Sequence, residues 1–178
     1  MTTQASTGTA PYEELATTLR GELILPGDPG YDEARAVYNG MINKHPAAIA
    51  RCSDTADVVS CVRFARQHGV DVAIRGGGHN AAGFGVADDA LVIDLSRLRS
   101  TTVSPENHTV RVDPGCTWGD VDHATVAFGM ATPSGFVAST GVAGLALGGG
   151  IGCRPTTSGE PYGLTGSRIS SALECGPV

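Results

Sequence analysis

The chain has 178 residues, 41 % of them hydrophobic, which is enough apolar material for one domain with a sizeable core. Twelve basic residues, with Lys44 the only lysine, face eighteen acidic ones, and the net charge of -6 leaves no wide electropositive surface for nucleic acid or anionic lipid. Every apolar stretch is broken by glycine or charge well short of the ~20 residues that span a bilayer, so neither nucleic acid nor membrane is expected as a partner.

The opening MTTQASTGTAPYEELATT is polar and lacks the basic and apolar regions of a secretory signal, which points to the cytoplasm. Pro11 opens a short helix through Tyr12, Leu15 and Leu19, ended by Gly21. The Pro-Gly pairs of LILPGDPGY then mark turns between Leu23 and Tyr31. Ala47 to Arg51 reads as a short buried strand. The following SDTADVVSCVRFARQHG carries a helix pattern: Ser53 or Asp54 can cap it, Asp57 suits the positive end of its dipole, Val58, Val62 and Ala65 share a face, and Gly69 stops it. Val70 to Ile74 is the next strand, so this strand-helix-strand unit ends at a glycine run, where such folds bind ligands. Ala90 to Leu95 and Thr109 to Pro114 read as further strands, and Trp118 to Phe128 as a helix. The mixture is α+β.

Two glycine segments carry the chemistry. RGGGHN, Arg75 to Asn80, follows a strand, so its backbone can turn sharply and leave N–H groups unshielded by any Cβ. Successive amides of that kind suit a pyrophosphate. The second segment, GVAGLALGGGIG from Gly141 to Gly152, interleaves glycine with Val142, Leu145, Leu147 and Ile151. Flexible glycine linkers carry serine and other polar residues in place of such anchors, so this segment is read as packed. Together the two suggest a long, flat, diphosphate-bearing ligand clasped from two sides.

The usual phosphate loops are absent. Lys44 is far from any Walker glycines, and Gly148 and Gly150 are followed by Cys153 where a dinucleotide fingerprint needs its third glycine. There is no GxSxG elbow and no His/Cys cluster at zinc spacing, so no metal is expected. The five cysteines, Cys52, Cys61, Cys116, Cys153 and Cys175, form no CxxC pair and read as ordinary thiols. His79 stands apart from His45, His68, His108 and His123 by lying among glycines; a neutral imidazole there is a competent nucleophile or base if one ring nitrogen is free. Asp88, Asp89, Asp113, Asp120 and Asp122 read as turn or solvated-face carboxylates.

Taken in order, AAIAR, Asp57-Val58, RGGGHN, IDLSRLR, GCTWGDVD, ATPSG and TGVAGLALGGGIG resemble the FAD-binding domain of the vanillyl-alcohol oxidase type. Within it they are most similar to the berberine-bridge-enzyme-like FAD-linked oxidases, over roughly Tyr31 to Gly152. The resemblance implies an α+β FAD-binding domain over residues 45–152, preceded by a lead-in segment, 1–44. It implies that Arg75, Gly76, Gly77, Gly78, His79 and Asn80, with Thr140, Gly141, Gly144, Gly148, Gly149, Gly150 and Gly152, hold FAD. It further implies a covalent bond from His79 to the 8α-methyl carbon of the flavin, and oxidation of an alcohol, sugar or aromatic natural product with dioxygen as acceptor. Some members add a cysteine link to C6; aligning on TGVAG puts Val137 there, so a single bond is expected.

The resemblance weakens at the end. CRPTTSGEP intervenes before YGLTGSRISSALE, and Ser167 and Arg168 replace an Asp-Asn pair. Residues 153–178 are therefore read as a divergent, truncated segment and the domain as incomplete, without the family's substrate domain. A non-catalytic flavin-binding remnant is the alternative reading.

Overall fold

The computed structural model describes residues 11–149, together with the backbone pairing of two short strands, Ala172–Glu174 and Gly176–Pro177. A four-stranded sheet carries the first half, built from β1 (Glu22–Ile24), β2 (Ala48–Arg51), β3 (Val72–Arg75) and β4 (Leu91–Asp94) in the order β1-β2-β4-β3. β1 runs antiparallel to β2, while β2 and β3 both run parallel to β4. The expected strand-helix-strand unit is thus present, with one strand position left open between its strands and filled by β4.

Helices pack on both faces of this sheet. The pleat sends Ala48, Ala50, Leu91 and Ile93 toward Tyr12 and Leu15 of α1 (Tyr12–Thr18) and toward Cys61, Phe64 and Ala65 of α3 (Thr55–His68). Ile49, Ala73 and Val92 point the other way, against Ile24, Val86 and the Tyr31 and Ala34 side chains of α2 (Tyr31–Arg35). Both faces are filled, which is why β2 and β4 read as continuous apolar runs. Residues of the lead-in segment contribute to both cores. The short α2 begins at Tyr31, where the expected turns end, and was not foreseen from the sequence.

α3 starts and stops as its sequence predicts. Asp54 is the N-cap, its carboxylate accepting from Asp57 N at 3.0 Å, and Gly69 ends the helix in the left-handed region at φ 65°. The face expected from Val58, Val62 and Ala65 is rotated: Val62 is exposed, and Asp57, Cys61, Phe64 and Ala65 are buried. Asp57 does more than complement the dipole. Its carboxylate accepts hydrogen bonds from the backbone N–H groups of Arg20 (2.8 Å), Gly21 (3.0 Å) and Ser53 (2.8 Å), pinning the incoming chain to the helix start.

A second unit packs around Trp118. β5 (Thr101–Ser104) and β6 (Thr109–Val112) form a hairpin extended by β8 (Ala172–Glu174), and β7 (Met130–Ala131) pairs with β9 (Gly176–Pro177). α4 (Trp118–Val126) closes a core of Val110, Cys116, Trp118, Val121, Met130 and Val142. α5 (Val142–Gly148) is a helix inside the second glycine segment. No helix among the described residues is long and apolar enough to cross a membrane.

Candidate functional site

The site begins with a row of charges at one end of the first sheet. Strand register places Glu22 beside Arg51, Arg51 beside Asp94, and Asp94 beside Arg75. Arg75 Nη2 lies 2.7 Å from Asp94 Oδ2 with both side chains buried, and Arg51 Nε lies 3.8 Å from the same oxygen. Arg75 also donates to Ala36 O at 3.4 Å. Its charge is balanced within the protein, so an anion in the site would meet glycine backbone before it met this guanidinium. The stem of Arg75 runs beneath Gly78 and Gly85, within 3.5–3.8 Å of where a Cβ on either glycine would sit.

Directly after Arg75 the first glycine segment crosses the second. A Cβ on Gly77 would lie 2.7 Å from Gly141 Cα, and one on Gly141 would lie 2.9 Å from Gly77 Cα, so only two glycines allow the backbones to touch. Gly76 backs onto Pro114 O, and Gly78 takes φ 68°. The second segment is fastened to α4: Trp118 N donates to Thr140 O (3.0 Å), Gly119 N to Ala138 O (2.9 Å) and Val142 N to Cys116 O (3.0 Å). α4 is itself fixed by a capping box in which Asp120 accepts from Thr117 N at 2.7 Å while pairing with Arg99. Burial pushes the Asp120 carboxyl up, but the Thr117 N–H, Arg99 and the Thr117 hydroxyl outweigh it and hold it below the usual range. Asp120, read from the sequence as a turn or solvated-face carboxylate, is a structural cap.

His79 sits where these segments converge. Tyr38 stacks on its ring, centroids 4.0 Å apart and planes 18° from parallel, and Tyr38 N donates to Gly78 O at 3.1 Å. Ser139 Oγ lies 3.0 Å from His79 Nε2 and Thr140 Oγ1 lies 3.4 Å from Nδ1. Asn80 turns the chain back, its side-chain oxygen accepting from Phe84 N at 3.2 Å and its carbonyl from Gly83 N at 3.0 Å.

A cavity of about 310 Å³ opens at the crossing. Of the residues the sequence pointed to, Arg75, Gly76, Gly77, Gly78, His79 and Asn80 line it from one side, and Thr140, Gly141, Gly144 and Gly149 from the other. Gly148 ends α5 and is not part of the wall; Gly150 and Gly152 lie outside the described residues. The wall also contains Ile74, Phe84, Gly85 and Leu145, which sequence reasoning did not select. Ile74 and Phe84 are 62 % and 74 % exposed, an apolar rim suited to a flat ring system. Tyr38, Ser139 and Asp94 were missed as well, since each reaches the site only through tertiary contact. Among the described residues no group of three or more His, Cys, Asp or Glu could hold a metal ion.

Val137, expected in place of a second flavin-linking cysteine, is 48 % exposed, and the described cysteines Cys52, Cys61 and Cys116 are all buried. None of the three lines the cavity.

Known proteins share this fold. Residues 46–171 match the family described as FAD binding domain. The chain is 34 % identical over 161 residues to (R)-6-hydroxynicotine oxidase of Paenarthrobacter nicotinovorans, covering 89 % of this chain and 34 % of that protein. Among solved structures, BBE-like 1 of Physcomitrella patens superposes with a TM-score of 0.71 at 29 % identity, over 78 % of this chain and 30 % of that one. Xylooligosaccharide oxidase of Myceliophthora thermophila superposes with a TM-score of 0.70 at 27 % identity, again over 78 % of this chain and 30 % of that one. The chain therefore spans about a third of the length of the relatives it matches. With the family match over residues 46–171 and the shared α+β frame, the chain belongs to the FAD binding domain family, in the form found in berberine-bridge-enzyme-like FAD-linked oxidases.

Proposed function

We propose that the chain provides the flavin-holding part of an oxidoreductase that binds FAD covalently through His79 and oxidises an alcohol, a sugar or an aromatic natural product, with dioxygen as acceptor. The observation that carries this reading is the placement of His79: it stands on the wall of the cavity beside the point where the first glycine segment crosses the second backbone to backbone. The residues suit the cofactor. With no Cβ on Gly77 or Gly141 the two segments close directly on each other, the neighbouring glycines offer backbone to a diphosphate, and Ile74 and Phe84 offer apolar surface to a ring.

Each residue then has a task. Gly76, Gly77 and Gly78 with Gly141 and Gly144 hold the pyrophosphate and adjoining chain by close backbone approach. Arg75 braces the first segment from below through Asp94, and Asn80 returns the chain so that Phe84 reaches the rim. His79 supplies the nucleophilic nitrogen for the bond to the 8α-methyl carbon, with Tyr38 keeping its ring in one plane. When bound, FAD supplies the two-electron acceptor for substrate oxidation. The substrate classes are suggested by the relatives, one named for a hydroxynicotine and another for a xylooligosaccharide.

The test is direct. The chain is expressed with FAD and precipitated with acid, and flavin absorbance is read in pellet and supernatant. Colour that stays with the protein, and leaves it in His79→Ala, is the expected result. A colourless wild-type pellet would overturn the covalent reading.

A further inference from the structure

The two hydroxyls on His79 are not equivalent. Ser139 Oγ at 3.0 Å from Nε2 makes a full hydrogen bond, whereas Thr140 Oγ1 at 3.4 Å from Nδ1 stands at the outer limit of one. His79 and Thr140 line the cavity, while Ser139 is exposed and is not part of its wall. Nδ1 is thus the nitrogen on the cavity side and Nε2 the one directed outward. A half-turn of the ring would put a carbon where each nitrogen now stands and carry Nδ1 away from Thr140, and the Tyr38 stack at 4.0 Å opposes that turn.

We propose that Ser139 is a positioning residue for His79: its hydroxyl accepts the Nε2–H hydrogen bond, holds the imidazole in the Nε2–H tautomer, and so presents the Nδ1 lone pair to the cavity as the atom that attaches to the flavin. The inference rests on the covalent reading above. In the attachment Nδ1 supplies the electron pair of the new nitrogen–carbon bond, and one C–H bond of the 8α-methyl group breaks. The electron pair of that C–H bond reduces the isoalloxazine by two electrons, balanced by two protons, one from the methyl carbon and one from Nε2. Dioxygen, reduced to hydrogen peroxide, is the oxidant that restores the starting oxidation level. Nε2 must lose its proton once Nδ1 is substituted, and the exposed Ser139 hydroxyl gives that proton a path to solvent.

The experiment uses the 178-residue chain as wild type, Ser139→Ala and Ser139→Thr, labelled with ¹⁵N. Ring-nitrogen spectra taken before FAD is added report which nitrogen of His79 carries hydrogen. The samples are then incubated with FAD in air, acid-precipitated at intervals, and digested to locate the bond. Expected are an Nε2–H tautomer in the wild type and in Ser139→Thr, a mixture in Ser139→Ala, and attachment at Nδ1. Covalent incorporation should slow roughly tenfold in Ser139→Ala, the effect of one hydrogen bond, with reversible FAD binding unchanged. An Nδ1–H tautomer in the wild type, a bond at Nε2, or equal rates in wild type and Ser139→Ala would each overturn the proposal. A wild-type chain that binds FAD but releases all of it into acid would instead sink the covalent reading, and the tautomer spectra would still decide the role of Ser139.

Discussion

Gly77 and Gly141 touch backbone to backbone, each standing where the other would place a Cβ. Alanine at either position meets main chain rather than a movable side chain, so one of the two segments must shift. Gly77→Ala and Gly141→Ala should each cost about 2–3 kcal/mol of stability and weaken FAD binding far more than Gly144→Ala, whose Cβ position is open. Urea midpoints and FAD titrations of the three variants check this; a Gly77→Ala chain that binds FAD like the wild type would mean that the crossing is not part of the cradle.

Asp94 is the sole described carboxylate within salt-bridge reach of the buried Arg75 guanidinium. Asp94→Ala leaves that cation buried and uncompensated, a loss of about 3–5 kcal/mol. Arg75→Met combined with Asp94→Leu removes both charges and should recover most of it. The double-variant cycle, read from chemical unfolding, separates the ion pair from simple packing: additive losses would show that the pair contributes no coupling.

The Asp57 carboxyl is pushed up by burial, but hydrogen bonds from the N–H groups of Ser53, Arg20 and Gly21 outweigh this and hold it below its ordinary value of 3.8. A depressed value in the folded state means stability that is fully present above the unfolded value and lost as pH falls through the folded one. Unfolding free energy should therefore decline below about pH 4. Asp57→Asn should be less stable at neutral pH and show a shallower acid limb. An unchanged acid limb in Asp57→Asn would assign that decline to other carboxylates.

Cys52, Cys61 and Cys116 are fully buried. A hydrogen bond from Cys61 followed by burial pushes the Cys52 thiol up, and burial does the same to Cys116. Thiolate is the reactive form, so Cys52 and Cys116 should resist a disulfide reagent in the native chain and react on denaturation; the Cys61 thiol is pushed down by its hydrogen bond with Cys52, and its resistance rests on burial alone. Peptide mapping after brief labelling checks the expectation, and rapid modification of Cys116 would mean that the Trp118 core opens readily.

Much of the frame was legible because its signals are local. Asp54 and Gly69 bound α3 by capping chemistry, and the apolar runs of β2 and β4 announce strands buried on both faces. β5, with the sequence TTVS and no buried residue, carries no pattern of its own and exists through its pairing with β6. α5 was hidden because glycine disfavours helix; tertiary contacts of Val142 and Leu145 with the Trp118 core override that propensity. The rotation of the α3 face has a similar origin, since Asp57 is drawn inward by three N–H groups that no helical period reveals. In the site, RGGGHN and Gly141 declare themselves, whereas Tyr38 is recruited from a segment with no distinguishing mark.

Ser139 and His79 are 60 residues apart in the chain. Their meeting waits until the first sheet and the Trp118 unit have both formed, because each unit supplies only one wall. Contacts of such separation form late, after the loop between them has been closed. The nascent chain is then competent for its cofactor only at the end of folding, and FAD present at that moment favours the assembled state by mass action. Yield from refolding should accordingly depend on whether flavin is in the buffer before the chain folds or is added afterwards.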